Sequence, residues 1–269
     1  MLISVRHLTR YSYDAPVSYT IQSVRLTPAP FNGQRVVDWQ VRVAGCGKPL
    51  PFKDGFGNAV HLIAIDAAHQ EVVIEAGGTV ETQDCNGIVA GLASAIPPRV
   101  YSRVTAQTRP DAAIRDLARS VERRDPLERL HALALAVRDR VDYVPGSTDA
   151  HTGAAEALAD GKGVCQDHAH IFIAAARSLG VPARYVTGYL VIDGDAAAEA
   201  HHAWAEAWVE ALGWVGFDVA NRICPTERYV RLAAGLDAGY AAPVIGTRRG
   251  GETEALEVSV EVQRQSAQQ

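Results

Sequence analysis

The chain has 269 residues, of which 48% are hydrophobic and 21% are charged, and this ordinary globular composition excludes disordered and collagen-like proteins. Its formal net charge at pH 7 is -5. A protein that binds nucleic acid or an anionic membrane surface needs clustered positive charge, so we expect neither as a partner. No apolar run approaches the ~20 residues that span a bilayer.

The N-terminal segment is predicted to be a β-strand. Alternate residues over positions 3–13 fall on one face of an extended chain. Because this segment alternates, it lacks the continuous apolar core of about 7–15 residues that marks a secretory signal, and we expect none.

Further strands are predicted in the rest of the N-terminal region. One of them places four apolar residues on one face, namely Val37, Trp39, Val41 and Val43. Residues 60–65 and 71–82 are the next two strands, and Gly77-Gly78 indicates a bulge or bend in the second. Short strands at this spacing favour an antiparallel β-sandwich, so residues 1–90 are predicted to form a β-rich domain with a supporting role.

Pro97-Pro98 marks the predicted domain boundary. Beyond it, apolar residues recur at helical spacing, which predicts helices over residues 111–123, 126–142 and 152–158. Asp125-Pro126 fits an N-cap followed by a proline in the first turn. Residues 98–269 are therefore predicted to form a second, mixed helix-and-strand domain.

The next predicted helix begins at a cysteine. Gly180 and Pro182 end it, and its apolar stripe comprises Ala169, Phe172, Ala176 and Leu179. Extending the stripe back by one turn reaches Cys165, which therefore lies in the first turn. The positive end of the helix dipole and the unpaired N–H groups there favour a thiolate, and the same groups can hydrogen-bond a developing oxyanion.

A strand and a β-hairpin are predicted after this helix. Residues 184–192 form the strand, Asp193-Gly194-Asp195 turns the chain, and residues 201–210 and 214–218 form the hairpin. On its first strand, alternation places His202 and Trp204 on one face. If the hairpin is centred near residue 211, Asp218 lies opposite Trp204 and diagonal to His202, close enough for the two side chains to meet.

The predicted elements bring together a cysteine at a helix N-terminus, a histidine on a strand and an aspartate on the neighbouring strand. Nucleophilic acyl transfer needs this set of groups. The thiolate attacks a carbonyl, the imidazole moves the proton to the leaving amine, and the carboxylate orients the imidazole.

Several segments resemble the bacterial transglutaminase-like superfamily. In the second domain they are GVCQDHAH (163–170), ARYVTGY (183–189), HAWAE (202–206) and GWVGFD (213–218). In the first domain, YSYDAPV (11–17) and FGN (56–58) are similar to the β-rich domain that precedes the catalytic core in one bacterial branch. The resemblance thus covers nearly the whole chain.

The resemblance implies a papain-like α+β core in which Cys165 is the nucleophile, His202 the general acid/base and Asp218 the orienting carboxylate. It implies a peptide or protein substrate, with hydrolysis or transfer to an amine as the outcome, and no cofactor. The family often continues its aspartate as Asp-Pro-Thr-Asn, whereas this chain has Asp-Val-Ala-Asn at 218–221. The oligomeric state stays open.

Two other functions remain open at this point. A metal-dependent hydrolase could use the cysteine with nearby histidines, namely Cys165, His168, His170, His201 and His202, although structural zinc sites usually show paired ligands that are missing here. A non-catalytic binding module could retain the same fold. We expect no calcium site, because the chain lacks an EF-hand-like acidic loop.

The cysteines also bear on cellular location. All four lie too far apart in the sequence to indicate a disulfide framework, and a chain of this length can bury enough surface without crosslinks. We therefore expect a reduced, cytoplasmic protein. Apart from Cys165, we expect the cysteines to be small buried apolar residues: Cys46, Cys85 and Cys224.

Overall fold

The computed structural model describes residues 1–45, 48–93, 96–192 and 201–265. Cys46 and the predicted Asp193-Gly194-Asp195 turn lie outside these ranges. In the described chain, the strands form a seven-stranded sheet, a five-stranded sheet and a two-stranded parallel pair. The fold is a mixed α+β fold with largely antiparallel sheets, as predicted.

The strands in chain order are β1 (Leu2–Val24), β2 (Gln34–Val43), β3 (Leu50–Lys53), β4 (Ala59–Ile65), β5 (His69–Thr82), β6 (Ile88–Val89), β7 (Asp142–Tyr143), β8 (Lys162–Gly163), β9 (Ala183–Leu190), β10 (His201–Val209), β11 (Gly213–Phe217), β12 (Tyr229–Gly235), β13 (Val244–Gly250) and β14 (Glu254–Arg264). The helices are α1 (Ala112–Ser120), α2 (Pro126–Arg140), α3 (Ala154–Asp160) and α4 (Cys165–Ser178), with a short 3-10 turn at Pro98–Ser102.

The long strand β1 organises the seven-stranded sheet. Its first half pairs with β5 and β14, and its second half pairs with β4 and β13. The predicted alternation holds, because the face that begins at Ile3 is buried along most of its length. Since both halves share β1, the strands of the N-terminal region belong to one hydrogen-bonded sheet.

The bulge predicted near Gly77-Gly78 occurs in the neighbouring strand. The pairing of β2 with β5 shifts between Val36 and Asp38, and Val37 is 47% exposed. The prediction that Val37 shares a face with Trp39 is therefore wrong. The cause is a close backbone approach, since a Cβ on Gly78 would lie 2.2 Å from the carbonyl oxygen of Asp38.

Some strand pairings connect residues on the two sides of the predicted boundary between residues 90 and 98. Strands β13 and β14, which the prediction assigns to the second domain, pair with β1. Strand β6, which it assigns to the first, pairs with β11. A 23-residue central strand exposes backbone groups on both edges, and β13 and β14 satisfy one of those edges.

The five-stranded sheet carries the second domain and has the order β12-β9-β10-β11-β6. Helix α4 packs on it through small side chains of β10 such as Ala203, Ala205 and Ala207, which share one core with Ile171 and Phe172. The predicted helix starts are confirmed in α1 and α2, where the carboxylates of Asp111 and Asp125 accept N-cap hydrogen bonds.

The two large sheets share a second core in which Val5 and Ile74 of the N-terminal sheet contact Tyr189, Val230 and Leu232 of β9 and β12. Within the described ranges, the helices are too short or too polar to cross a membrane.

Side-chain amides of the N-terminal region also bind the backbone of β12. Gln34 exchanges two hydrogen bonds with Arg231, at 2.7 and 2.8 Å. Asn58 does the same with Ala234, at 2.8 Å each. These amides satisfy backbone groups on the edge of β12 that is not paired with β9.

Candidate active site

Cys165 is the first residue of α4, as predicted from the sequence. The preceding residue, Val164, is extended, and its N–H donates to Asp167 Oδ2 at 2.8 Å, while Thr148 donates to the same oxygen at 2.6 Å. Gly163 is needed beside this bond, since a Cβ there would lie 2.7 Å from the Cβ of Asp167. The local sequence therefore fixes the half-buried Cys165 at the helix N-terminus.

The hairpin that carries the predicted histidine and aspartate has the predicted register. Strands β10 and β11 pair Trp208 with Trp214 and Ala205 with Phe217, so the hairpin is centred at residue 211. Asp218 follows directly on β11, and His202 Nε2 donates a hydrogen bond of 2.6 Å to Asp218 Oδ2. The two side chains therefore meet diagonally across the hairpin.

His202 is 5% exposed and interacts with both of the other predicted site residues. Burial by itself lowers the pKa of His202, but the hydrogen bond to Asp218, the interaction with Cys165 and the negative charge of Asp218 raise this pKa to about 10. The ring is therefore an imidazolium near neutral pH. The structure thus pairs His202 with Asp218, and Cys165 is among the groups that affect the pKa of His202.

Asp218 is 1% exposed and accepts several hydrogen bonds. Burial alone raises the pKa of Asp218. This effect is outweighed by the charge of His202 and by hydrogen bonds from His202, Tyr229 and Asn221, so the pKa lies below its usual value. The Asn221 side chain donates to Oδ2 at 2.7 Å and its backbone N–H donates to Oδ1 at 3.2 Å. The loop without the family's proline is closed by two backbone hydrogen bonds between Asp218 and Ile223.

Tyr229 is the site residue that the sequence interpretation missed. Its hydroxyl donates to Asp218 Oδ2 at 2.6 Å. It is the first residue of β12, a strand that was not predicted, and β12 pairs with β9 rather than with its sequence neighbour β11. The apolar run at 229–235, interrupted only by Arg231, could have indicated a buried strand, but no local pattern indicates its place in the sheet.

A cavity of about 590 Å³ opens beside the imidazole and is lined in part by Tyr143, Leu190, His202, Asn221 and Tyr229. A second cavity, of about 310 Å³, includes Gln166, the residue after Cys165, together with Tyr185, Thr187 and His201. The first cavity therefore gives a substrate access to His202, and the second lies beside the sequence neighbours of Cys165 and His202.

The histidines of the metal-site interpretation are engaged by protein groups. The two ring nitrogens of His168 lie 2.8 and 3.0 Å from the carbonyl oxygens of Val164 and Val141. His170 Nε2 accepts the backbone N–H of Ala238 at 3.0 Å, and His201 hydrogen-bonds to Thr187 at 3.0 Å. Across the described ranges, no three His, Cys, Asp or Glu side chains converge as a metal site.

The other described cysteines lie outside the site. Cys85 and Cys224 are free thiols that are only half-buried, whereas the sequence predicts small buried apolar residues there. Burial and the negative charge of Asp84 raise the pKa of Cys224.

Comparisons with known proteins identify related sequences and structures. Residues 115–219 match the family model of the transglutaminase-like superfamily, and residues 3–81 match the bacterial transglutaminase-like N-terminal region. An uncharacterized protein of Mycobacterium leprae is 30% identical over 279 residues, which cover 97% of this chain and 98% of that protein. An uncharacterized protein of Mycobacterium bovis is 28% identical over 290 residues, covering 96% of this chain and 91% of that protein.

Among solved structures, a candidate cysteine protease from Cytophaga hutchinsonii has the same fold. The TM-score is 0.78 at 22% identity, and the match covers 98% of this chain and 90% of that one. On the family models and the full-length relatives, this chain belongs to the transglutaminase-like superfamily.

Proposed function

We propose that this protein is a cysteine enzyme that transfers the acyl group of a peptide or glutamine-type amide through a thioester. The observation that carries this proposal is the buried hydrogen bond between His202 and Asp218, together with the interaction of His202 with Cys165 at the N-terminus of α4. Neighbours with perturbed pKa values beside a cavity are typical of catalytic sites.

In the first half of the proposed reaction, the Cys165 thiolate attacks the amide carbonyl carbon. The negative charge that develops on the carbonyl oxygen is stabilised by the backbone N–H of Cys165 and the helix dipole. The His202 imidazolium gives its proton to the departing nitrogen, the carbon–nitrogen bond breaks, and a free amine leaves behind a thioester on Cys165.

In the second half, water or a primary amine attacks the thioester. Neutral His202 takes a proton from the attacking nucleophile, the carbon–sulfur bond breaks, and the thiolate–imidazolium pair is restored. Water gives a carboxylic acid and an amine gives a new amide. Asp218 remains ionised throughout and holds the imidazole in the required orientation.

We propose hydrolysis as the main outcome, with transglutamination as the alternative at the same residues. The 590 Å³ cavity beside His202 is large enough for many water molecules. Water is the more abundant acceptor unless a site excludes it.

The experiment that tests the proposal is incubation of the purified protein with a library of glutamine-containing peptides, with and without a labelled primary amine. We expect peptide cleavage or loss of a side-chain amide, together with a covalent acyl adduct on Cys165 in mass spectra. Cys165→Ala should abolish both, and Cys224→Ala is the matched control that should not. Turnover that survives Cys165→Ala would refute the assignment of the nucleophile.

We also propose a peptide or protein substrate and a cytoplasmic location. Net negative charge supports a peptide or protein substrate rather than nucleic acid or a membrane surface. The spacing of the cysteines supports a reducing, cytoplasmic location, which cell fractionation tests directly.

A further inference from the structure

Tyr229 contacts both members of the His202–Asp218 pair. Its hydroxyl donates to Asp218 Oδ2, the oxygen that also accepts from His202 and Asn221. The Tyr229 ring lies 6.1 Å from the His202 ring and packs edge-on against Trp204 at 5.5 Å. The position of Tyr229 therefore affects where the Asp218 carboxylate sits and which of its oxygens faces the imidazole.

The position of Tyr229 depends in turn on β12, and the N-terminal sheet holds the backbone of this segment at three points. Thr82 donates to the carbonyl oxygen of Glu227, two residues before Tyr229. Gln34 exchanges two hydrogen bonds with Arg231, two residues after it. Asn58 exchanges two more with Ala234.

These contacts are specific to one register of β12. Gln34, Thr82 and Asn58 are each less than 5% exposed, so their hydrogen bonds cannot be replaced by water without opening the interface. A shift of β12 by one residue would move the backbone N–H and C=O groups of Arg231 and Ala234 away from the amides of Gln34 and Asn58 and break these bonds. A buried ion pair between Arg231 and Glu206 of β10, at 2.8 Å, restrains the same strand from the second domain.

We propose that the N-terminal sheet is a positioning module for the candidate catalytic pair His202–Asp218, and that Tyr229 is the positioning residue through which it acts. This proposal rests on the proposed function only because it requires His202 and Asp218 to take part in turnover.

The first test compares two tyrosine variants. Tyr229→Phe removes the hydroxyl and keeps the ring, whereas Tyr189→Phe removes a fully buried hydroxyl that is bonded to His7 and lies outside the Asp218 network. We expect Tyr229→Phe to lower kcat by about ten- to hundredfold, the loss expected for one hydrogen bond to a charged group, with KM little changed. Tyr189→Phe should leave kcat within about twofold of the parent value, the scatter expected for a site outside the network.

The second test addresses the N-terminal sheet. Thr82→Val and Gln34→Ala remove contacts to the β12 segment, and Thr20→Val is the control, because Thr20 is equally buried in the same sheet and bonds to His69. We expect the first two variants to lower kcat of the folded enzyme and the control to leave it unchanged. Combining Gln34→Ala with Tyr229→Phe should lower kcat no further than Tyr229→Phe alone, because both act through one contact.

A readout that needs no substrate separates this proposal from the proposed function. In Tyr229→Phe we expect the carboxyl carbon of Asp218 to titrate at a higher pH by NMR, because the lost hydrogen bond helps to lower the pKa of Asp218. If the unmodified protein turns over no amide while this titration moves as expected, the proposed function fails and the positioning role stands.

Two results would overturn the positioning role. One is a Tyr229→Phe protein whose kcat and Asp218 titration match those of the parent. The other is that Thr82→Val and Gln34→Ala both lower thermal stability but leave kcat per folded molecule unchanged. An interface with a purely structural role would give that result.

Discussion

The imidazole of His202 and the carboxylate of Asp218 share a hydrogen bond of 2.6 Å between Nε2 and Oδ2, across the open end of the β10–β11 hairpin. Both side chains are buried, and Cys165 is among the groups that raise the pKa of the imidazole. The bond directs Nε2 of the ring at the carboxylate.

The charge on Asp218 should be essential for this orientation. Asp218→Asn keeps the shape of the side chain but replaces an acceptor by an amide that can favour the wrong imidazole tautomer. We expect kcat to fall by about 10²–10⁴ with the fold intact, the range seen when other triads lose this charge. Steady-state kinetics and circular dichroism measure the two effects, and near-parental activity would contradict the assigned role.

Cys165 should be the cysteine that reacts first with an alkylating agent. It lies at a helix N-terminus and interacts with His202, whereas burial and a neighbouring carboxylate raise the pKa of Cys224. We expect iodoacetamide at pH 6–7 to modify Cys165 before the other thiols, and His202→Gln to slow this modification. Peptide mapping by mass spectrometry gives the order, and equal labelling of Cys85 and Cys165 would count against an activated nucleophile.

His202 should stabilise the fold at neutral pH and lose this effect in alkali. Its pKa is raised from 6.5 to about 10 in the folded protein. The stabilisation is therefore fully present below pH 6.5 and disappears as the pH rises towards 10. Urea unfolding of the parent and of His202→Gln at pH 6, 8 and 10 should show a difference that shrinks with pH, and kcat should decline near pH 10. A constant difference would contradict the interaction with Asp218.

His170 should have the opposite dependence. Burial is the main cause that lowers its pKa from 6.5 to about 4, so the folded state holds this ring neutral while its Nε2 accepts the N–H of Ala238. Its contribution to stability is full above pH 6.5 and is lost as the pH falls towards 4, because the unfolded chain takes up the proton first. In His170→Gln, the free energy of unfolding measured in urea should depend less on pH between 6.5 and 4. An unchanged slope would contradict this role of His170.

Gly163→Ala should disturb the start of α4. A Cβ at this position would lie 2.7 Å from the Cβ of Asp167, whose carboxylate accepts from Val164 just before Cys165. We expect a loss of about 1–3 kcal/mol in the free energy of unfolding, typical of overpacking, together with reduced turnover. Gly153→Ala is the matched control, since a Cβ there meets no atom within 4 Å. Comparable losses in both variants would argue against this reading of the contact.

The local parts of the fold could be predicted because neighbouring residues encode them. The helical stripe and the following glycine place the start and end of α4 close to where they are observed. The hairpin of β10 and β11 needs only alternation and a short turn, so its register and the meeting of His202 with Asp218 follow from the sequence. Val37 was misassigned because its exposure depends on how closely Gly78 approaches the next strand.

That Cys165 begins a helix and that His202 and Asp218 share one side of a hairpin could be predicted from residues close together in the chain, because helix and hairpin periodicities act over a few residues. The pairing of β13 and β14 with the N-terminal sheet and the contact of Tyr229 with Asp218 could be seen only in the folded chain. These pairings join segments that are distant in the chain, and they depend on which strand edges find each other when the two sheets pack. No local pattern of residues records that choice.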